Sequence, residues 1–222
     1  MNNCIEIELR YEVLDSQQLP AFCASLQKLQ TKRDIDIYFD TPSVELYQKG
    51  IFIRLRNKKK LEIKFNRACL ENPDLAIQDY CEEHSFDVPI AIENRRRMNN
   101  LLMSLNLRPA CCPNIKEMKE ANGFIEHYVV DKVRTSYKYK SFTISIDEVA
   151  HLGLFLEIEL MAPSTDDLEK VKKEMEQLLA SLALTPLKTG YGTLLLRKKD
   201  FQQYLLGRFI LQEDRKYVSG VK

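Results

Sequence analysis

Four charged pairs, each with one residue between its members, are the parts of this chain best suited to chemistry: Glu6-x-Glu8, Glu157-x-Glu159, Arg54-x-Arg56 and Lys132-x-Arg134. A spacing of two puts both members of a pair on one side of a β-strand. Any single strand of this kind is most simply half-buried, with its charges toward water. The repetition changes that reading, because a wet sheet face normally mixes Lys, Thr, Ser and Glu and does not sort acids and bases onto separate strands. Two Glu-x-Glu strands need something positive between them. Hard carboxylate oxygens with no histidine or cysteine nearby suit Mg²⁺ or Mn²⁺. Arg and Lys pairs offer forked and point-charge donors for phosphoryl oxygens. Together they describe a metal-assisted phosphoryl-transfer site.

Strands must position these pairs, and the chain is rich in them. Ile5, Ile7, Leu9, Tyr11 and Val13 alternate with Glu6, Glu8, Arg10 and Glu12. The spacing predicts a helix from Ser16 to about Gln30 on a stripe of Leu19, Phe22, Cys23, Leu26 and Leu29. A strand "RDIDIYFDTP" stops at Pro42, and a short helix in "SVELYQKG" ends at Gly50. A hairpin follows, in which Ile51, Ile53 and Leu55 alternate with Phe52, Arg54 and Arg56, and Leu61, Ile63 and Phe65 with Glu62, Lys64 and Asn66. A less regular strand is expected within 76–88 and a helix over 90–105 with Ile92, Leu101, Leu102 and Leu105 as its core side. The chain turns at "RPACCPN". Three strands come next, "FIEHYVVDKVRTSYKYK", "FTISIDEVA" and "LGLFLEIELMA". A helix over 166–182, capped by Ser164 or Thr165, one further helix in "GYGTLLLRKKDFQQYLLGRF" and a frayed tail complete the chain. Residues 1–210 therefore read as a single domain and 211–222 as its tail.

The helices carry apolar stripes that must pack somewhere, so the apolar strand faces should point outward at them. The charged faces would then line the interior of a closed sheet of about eight strands. The fold class is α+β, an eight-stranded antiparallel β-barrel with helices outside.

Composition narrows the partners. Lys+Arg 33 against Asp+Glu 32 leaves a formal charge of +1, so no global positive excess points to nucleic acid or an anionic membrane. The basic run "NRRRMNN" has no interleaved aromatics and reads as a solvated helix face. Early charges rule out a signal-peptide core, and no run approaches eighteen apolar residues, so a cytoplasmic protein is expected. Six cysteines without CxxC spacing fit reduced thiols, and three scattered histidines make a His-based zinc site a poor fit.

The chain resembles a CYTH domain, of the triphosphate tunnel metalloenzyme superfamily that includes thiamine triphosphatases, inorganic triphosphatases and class IV adenylyl cyclases. The resemblance rests on "EIELR", "DIYFDTP", "GIFIRLR", "LEIKF", "DKVRTSY" and "ISIDEVAHLGLFLEIEL", in family order over roughly residues 4 to 205. It implies a tunnel in which Glu6, Glu8, Glu157 and Glu159, with Asp147 beside them, bind Mg²⁺ or Mn²⁺. Arg54, Arg56, Lys64, Lys132 and Arg134 would hold the phosphates of a small triphosphate substrate. Lys188 matches a C-terminal basic position, although the following "TGYG" departs from the family's Ser-Tyr context. Arg10 stands where the family's ExExK element has lysine. It remains protonated, so it is expected to clamp phosphate and not to act as a base. Triphosphate hydrolysis is the expected activity, with adenylyl cyclisation, a turnover-deficient polyphosphate sensor and, last, a nucleic-acid-binding barrel as alternatives. The oligomeric state is left open.

Overall fold

The computed structural model describes residues 5–72, 74–110, 114–162 and 164–220. Cys4, Cys111 and Cys112 lie outside the described residues, and Cys23, Cys69 and Cys81 are free thiols. The alternating stretches form strands β1 (Ile5–Val13), β2 (Gln27–Asp40), β3 (Phe52–Arg56), β4 (Lys60–Phe65), β5 (Tyr80–Asp87), β6 (Ile125–Tyr139), β7 (Phe142–Val149), β8 (Gly153–Ala162) and β9 (Leu184–Pro186). Helices are α1 (Leu19–Ala24), α2 (Glu45–Lys49), α3 (Arg67–Glu71), α4 (Ile92–Ser104), α5 (Ile115–Asn122), α6 (Leu168–Leu179), α7 (Tyr191–Lys199) and α8 (Phe201–Leu205).

All strand pairings are antiparallel, in the order β5-β4-β3-β2-β6-β7-β8-β1. Ile5, Ile7 and Glu6 then pair with Glu82, Tyr80 and Cys81, which closes eight strands into a barrel. The short β9 continues the same side of β1 beyond that closure, at Tyr11–Val13.

Two apolar cores flank the barrel on its outside. One joins Ile53, Leu61 and Ile63 to Met98 and Leu102 of α4 and Met118 of α5. The other joins Ile7, Ile144, Leu156 and Ile158 to Met175 and Leu179 of α6 and Leu19 of α1. The outward-apolar arrangement therefore holds at these two faces. It fails on β2 and β6, where Ile35, Val129 and Val133 face solvent beside the Arg33–Asp131 ion pair.

Several local expectations are corrected. The first helix ends at Ala24, because Ser25 and Leu26 N–H groups bond back to Phe22 and Cys23 and the chain enters the β2–β6 ladder at Gln27. Leu29 is consequently exposed. Asp167, not Ser164 or Thr165, precedes α6, while Ser164 Oγ donates to Asp166. Ile92 is 75% exposed at the start of α4, so it is not on the core side. The single last helix is two, α7 and α8, with Asp200 leaving helical geometry and accepting from the Gln203 N–H at 3.0 Å. Residues 212–220 wind into a 3₁₀ segment where a frayed tail was expected. Buried Asp214 holds it, accepting from Tyr204 Oη at 2.9 Å and pairing with Arg197 at 2.6 Å.

Candidate active site

Strand register brings the separated pairs together inside the barrel. Glu8 stands opposite Glu159 and Arg10 opposite Glu157 across β1 and β8. Arg134 faces Asp147 across β6 and β7, Arg54 faces Glu62 across β3 and β4, and Arg56 faces Asp36 across β2 and β3. Between them lies a cavity of about 360 Å³ lined by Glu6, Glu8, Glu157, Glu159, Arg10, Arg54, Arg56, Lys64, Lys132 and Arg134.

The charges are knitted into pairs. Arg10 donates through Nε to Glu157 at 2.6 Å and through Nη2 to Glu8 at 2.5 Å. Arg134 grips Asp147 at 2.7 and 2.5 Å and also donates to Glu157. Lys132 Nζ meets the same Asp147 at 2.7 Å, and Lys64 bonds Glu6 while reaching Glu83 at 3.2 Å. On the other wall Arg56 forks onto Asp36 with two 2.8 Å bonds, and Arg54 donates to Glu62 at 2.7 Å and to Tyr38 Oη at 3.1 Å. Buried charges persist only when matched in this way.

One carboxylate is left over. Among the described residues Glu159 has no hydrogen-bond or ion-pair partner, and its carboxyl is pushed upward by burial and then by Glu6 and Glu157, against the pull of Arg134 and Lys64. Glu8 is raised to about 8, chiefly by burial, with Arg10 opposing and Glu157 and Glu6 adding like charge. Burial would raise Glu6 and Glu157 too, but Lys64 for the first, and Arg10 and Arg134 for the second, hold them below the ordinary range. Lys132 is lowered to about 8 by burial and by Arg134, against the pull of Glu157 and Asp147.

A hard divalent cation fits this donor set. The acids are all carboxylates, and the crowding of Glu8 and Glu159 is what a cation would relieve. Among the described residues no three His, Cys, Asp or Glu side chains are already gathered as a metal cage, since Glu6 and Glu157 are drawn onto basic partners.

Two expected site residues stand apart. Asp147 is fully buried with both oxygens taken by Lys132 and Arg134, so in this arrangement it anchors the bases. Lys188 is exposed and does not line the tunnel cavity; it lines a smaller cleft with Asp79, Lys172 and Glu176 that shares Glu8 and Arg10 with the tunnel. The sequence reading missed Asp36, Tyr38 and Glu62. All three obey the same period of two, Asp36 and Tyr38 against Ile35, Ile37 and Phe39, and Glu62 beside Lys64. It also missed Tyr191, which reaches the tunnel from helix α7 and has no strand periodicity to betray it. Asp40 of "DIYFDTP" is structural: its carboxylate accepts from the N–H groups of Thr41, Leu46 and Tyr47 at 2.7, 2.9 and 2.9 Å and fixes the start of α2.

Comparison with known proteins agrees with this architecture. The chain is 23% identical over 183 residues to a Methanocaldococcus jannaschii protein described as "Putative adenylate cyclase MJ0240", covering 82% of this chain and 91% of that one. The solved structure of the PH1819 protein from Pyrococcus horikoshii OT3 is similar with a TM-score of 0.61 and 22% identity, covering 87% and 99% of the two chains. HpAC1 from Hippeastrum, described as an adenylyl cyclase candidate with a dominant triphosphatase activity, is similar with a TM-score of 0.56 and 20% identity over 88% and 95%. The family model of the CYTH domain matches residues 4–189, and with the closed charged tunnel this places the chain in the CYTH domain family.

Proposed function

We propose that the tunnel binds a small triphosphate with Mg²⁺ or Mn²⁺ and hydrolyses its terminal phosphoanhydride. The observation that carries this reading is the lining of one cavity by facing acids, Glu8 opposite Glu159, and by five bases on β3, β4 and β6. An anion binder alone would be better without those acids.

Arg54, Arg56, Lys64, Lys132 and Arg134 would hold phosphate oxygens, and Asp147 would orient Lys132 and Arg134 from behind. Glu6, Glu8, Glu157 and Glu159 would hold the divalent cation. When bound, it would supply Lewis-acid charge neutralisation on the phosphoryl oxygens. Arg10 keeps one N–H on each terminal nitrogen free of its present partners and can add these to a phosphate. Its guanidinium stays charged, so the proton of the attacking water goes to one of the carboxylates.

Adenylyl cyclisation is the second reading, favoured by the description of the Methanocaldococcus jannaschii relative. It would use the same phosphate grip with the ribose 3′-hydroxyl as nucleophile. The products separate the two: orthophosphate in one case, pyrophosphate with cyclic AMP in the other. A release assay over tripolyphosphate, thiamine triphosphate and nucleoside triphosphates, with and without Mg²⁺ and Mn²⁺, is the test. Metal-dependent orthophosphate supports hydrolysis; absence of both binding and turnover with every substrate sinks the proposal.

A further inference from the structure

Arg10 departs from the family's lysine, and its surroundings give the change a use. Its Nη1 donates to the Thr189 carbonyl at 2.9 Å, while Nε and Nη2 hold Glu157 and Glu8. The Arg10 carbonyl accepts from the Leu187 N–H at 2.8 Å, so backbone and side chain both grip the same turn. That turn leads into α7 through Gly190, where a Cβ would stand 3.8 Å from Arg10 Nη1. Arg10 Cζ also lies 4.9 Å from the centroid of the Tyr191 ring. Gly190, Tyr191, Gly192 and Thr193 line this wall of the tunnel.

Acceptors on β1, β8 and the 187–190 turn are met by donors that diverge in one plane. A guanidinium has that geometry; an ammonium carries its three N–H bonds on a single nitrogen. We propose that Arg10 is a positioning residue, which fastens the turn before α7 to the barrel and holds Tyr191 and the first turn of α7 as the inner wall of the tunnel. This goes beyond the triphosphatase reading and can be tested without turnover.

The experiment is amide hydrogen exchange on the full chain for wild type, Arg10→Lys and Arg10→Gln. Residues 187–194 should exchange about tenfold faster in both variants, with β7 within about twofold of wild type. Should Arg10→Gln alone unfold, Glu8→Gln/Arg10→Gln restores the charge balance and is measured instead. With inorganic tripolyphosphate and Mg²⁺, Arg10→Lys should lower kcat about tenfold and change KM less than about threefold, because lysine still presents a cation to the phosphate but loses the grip on the turn. Unchanged exchange at 187–194, or full restoration of wild-type exchange by lysine, overturns the proposal. Faster exchange at 187–194 in a protein whose wild type releases no phosphate supports it and counts against the triphosphatase reading alone.

Discussion

Glu159 is the half-buried acid of the tunnel that pairs with no base among the described residues. Glu159→Gln keeps the shape and removes the charge, so metal-dependent phosphate release should fall about 100-fold, while the melting temperature holds or rises because an unpaired carboxylate is gone. Retained turnover at saturating Mg²⁺ would remove Glu159 from the site. Asp36 is the opposite case. Burial would raise its carboxyl, but Arg54 and Arg56 outweigh that and hold it well below the ordinary range. A carboxyl lowered on folding stabilises fully above its unfolded value of about 3.9 and loses that contribution as pH falls toward the folded one. Asp36→Asn should therefore cost about 2–4 kcal/mol near neutrality, since half-buried Arg56 loses its forked partner and keeps only the 3.4 Å contact to Glu62. It should also flatten the loss of stability on the acid side, which urea unfolding from about pH 2 to pH 7 would show. An unchanged acid slope would mean that the pair is not formed in solution.

At the scale of elements, α7 is seated by a close backbone approach. A Cβ on Gly192 would meet the Tyr128 ring at 2.5 Å, so glycine is required where the helix crosses β6. Gly192→Ala should destabilise by about 1–3 kcal/mol through overpacking, and trimming the ring in Gly192→Ala/Tyr128→Ala should recover part of it in a double-mutant cycle. Additive losses would show that the two do not touch. Two helices were missed by periodicity, α3 and α5, and the second was signalled by its ends. Asn114 accepts from the Glu117 N–H at 2.8 Å and Gly123 closes the helix at φ 67°. Asn114→Ala should cost about 1 kcal/mol by denaturant midpoint. Its apolar content is too sparse for a pattern, with Met118 as its buried contact to the core, so the caps held the information.

For the whole molecule, the tunnel is a set of ion pairs held ready to exchange partners. A triphosphate that draws the bases off their acids stabilises the folded state by mass action, about 2.7 kcal/mol at a hundredfold excess over Kd. For a chain of 222 residues that is a rise in melting temperature of about 5–10 °C. Tripolyphosphate with Mg²⁺ should give that shift at low ionic strength and less of it in high salt, because screening weakens the partly exposed ends of the tunnel first. No shift at any concentration would argue that the acids and bases are content with each other and that the cavity is not a binding site.

The strands and their two faces were legible in the sequence because a period of two is a local property: Glu6 and Glu8 share a side whatever the rest of the chain does. The sorting of acids and bases onto different strands was equally plain, and so was the resemblance in family order. What the residues of one strand cannot specify is the neighbour across the sheet. Only the register of the closed barrel sets Glu8 against Glu159, leaves Glu159 unpaired and turns Asp147 into the anchor of Lys132 and Arg134. Only tertiary packing brings Tyr191 and the Thr189 carbonyl, nearly the length of the chain away, against Arg10. Local periodicity encodes which face a side chain takes, whereas its partner is decided by strand register and by how the helices dock on the barrel.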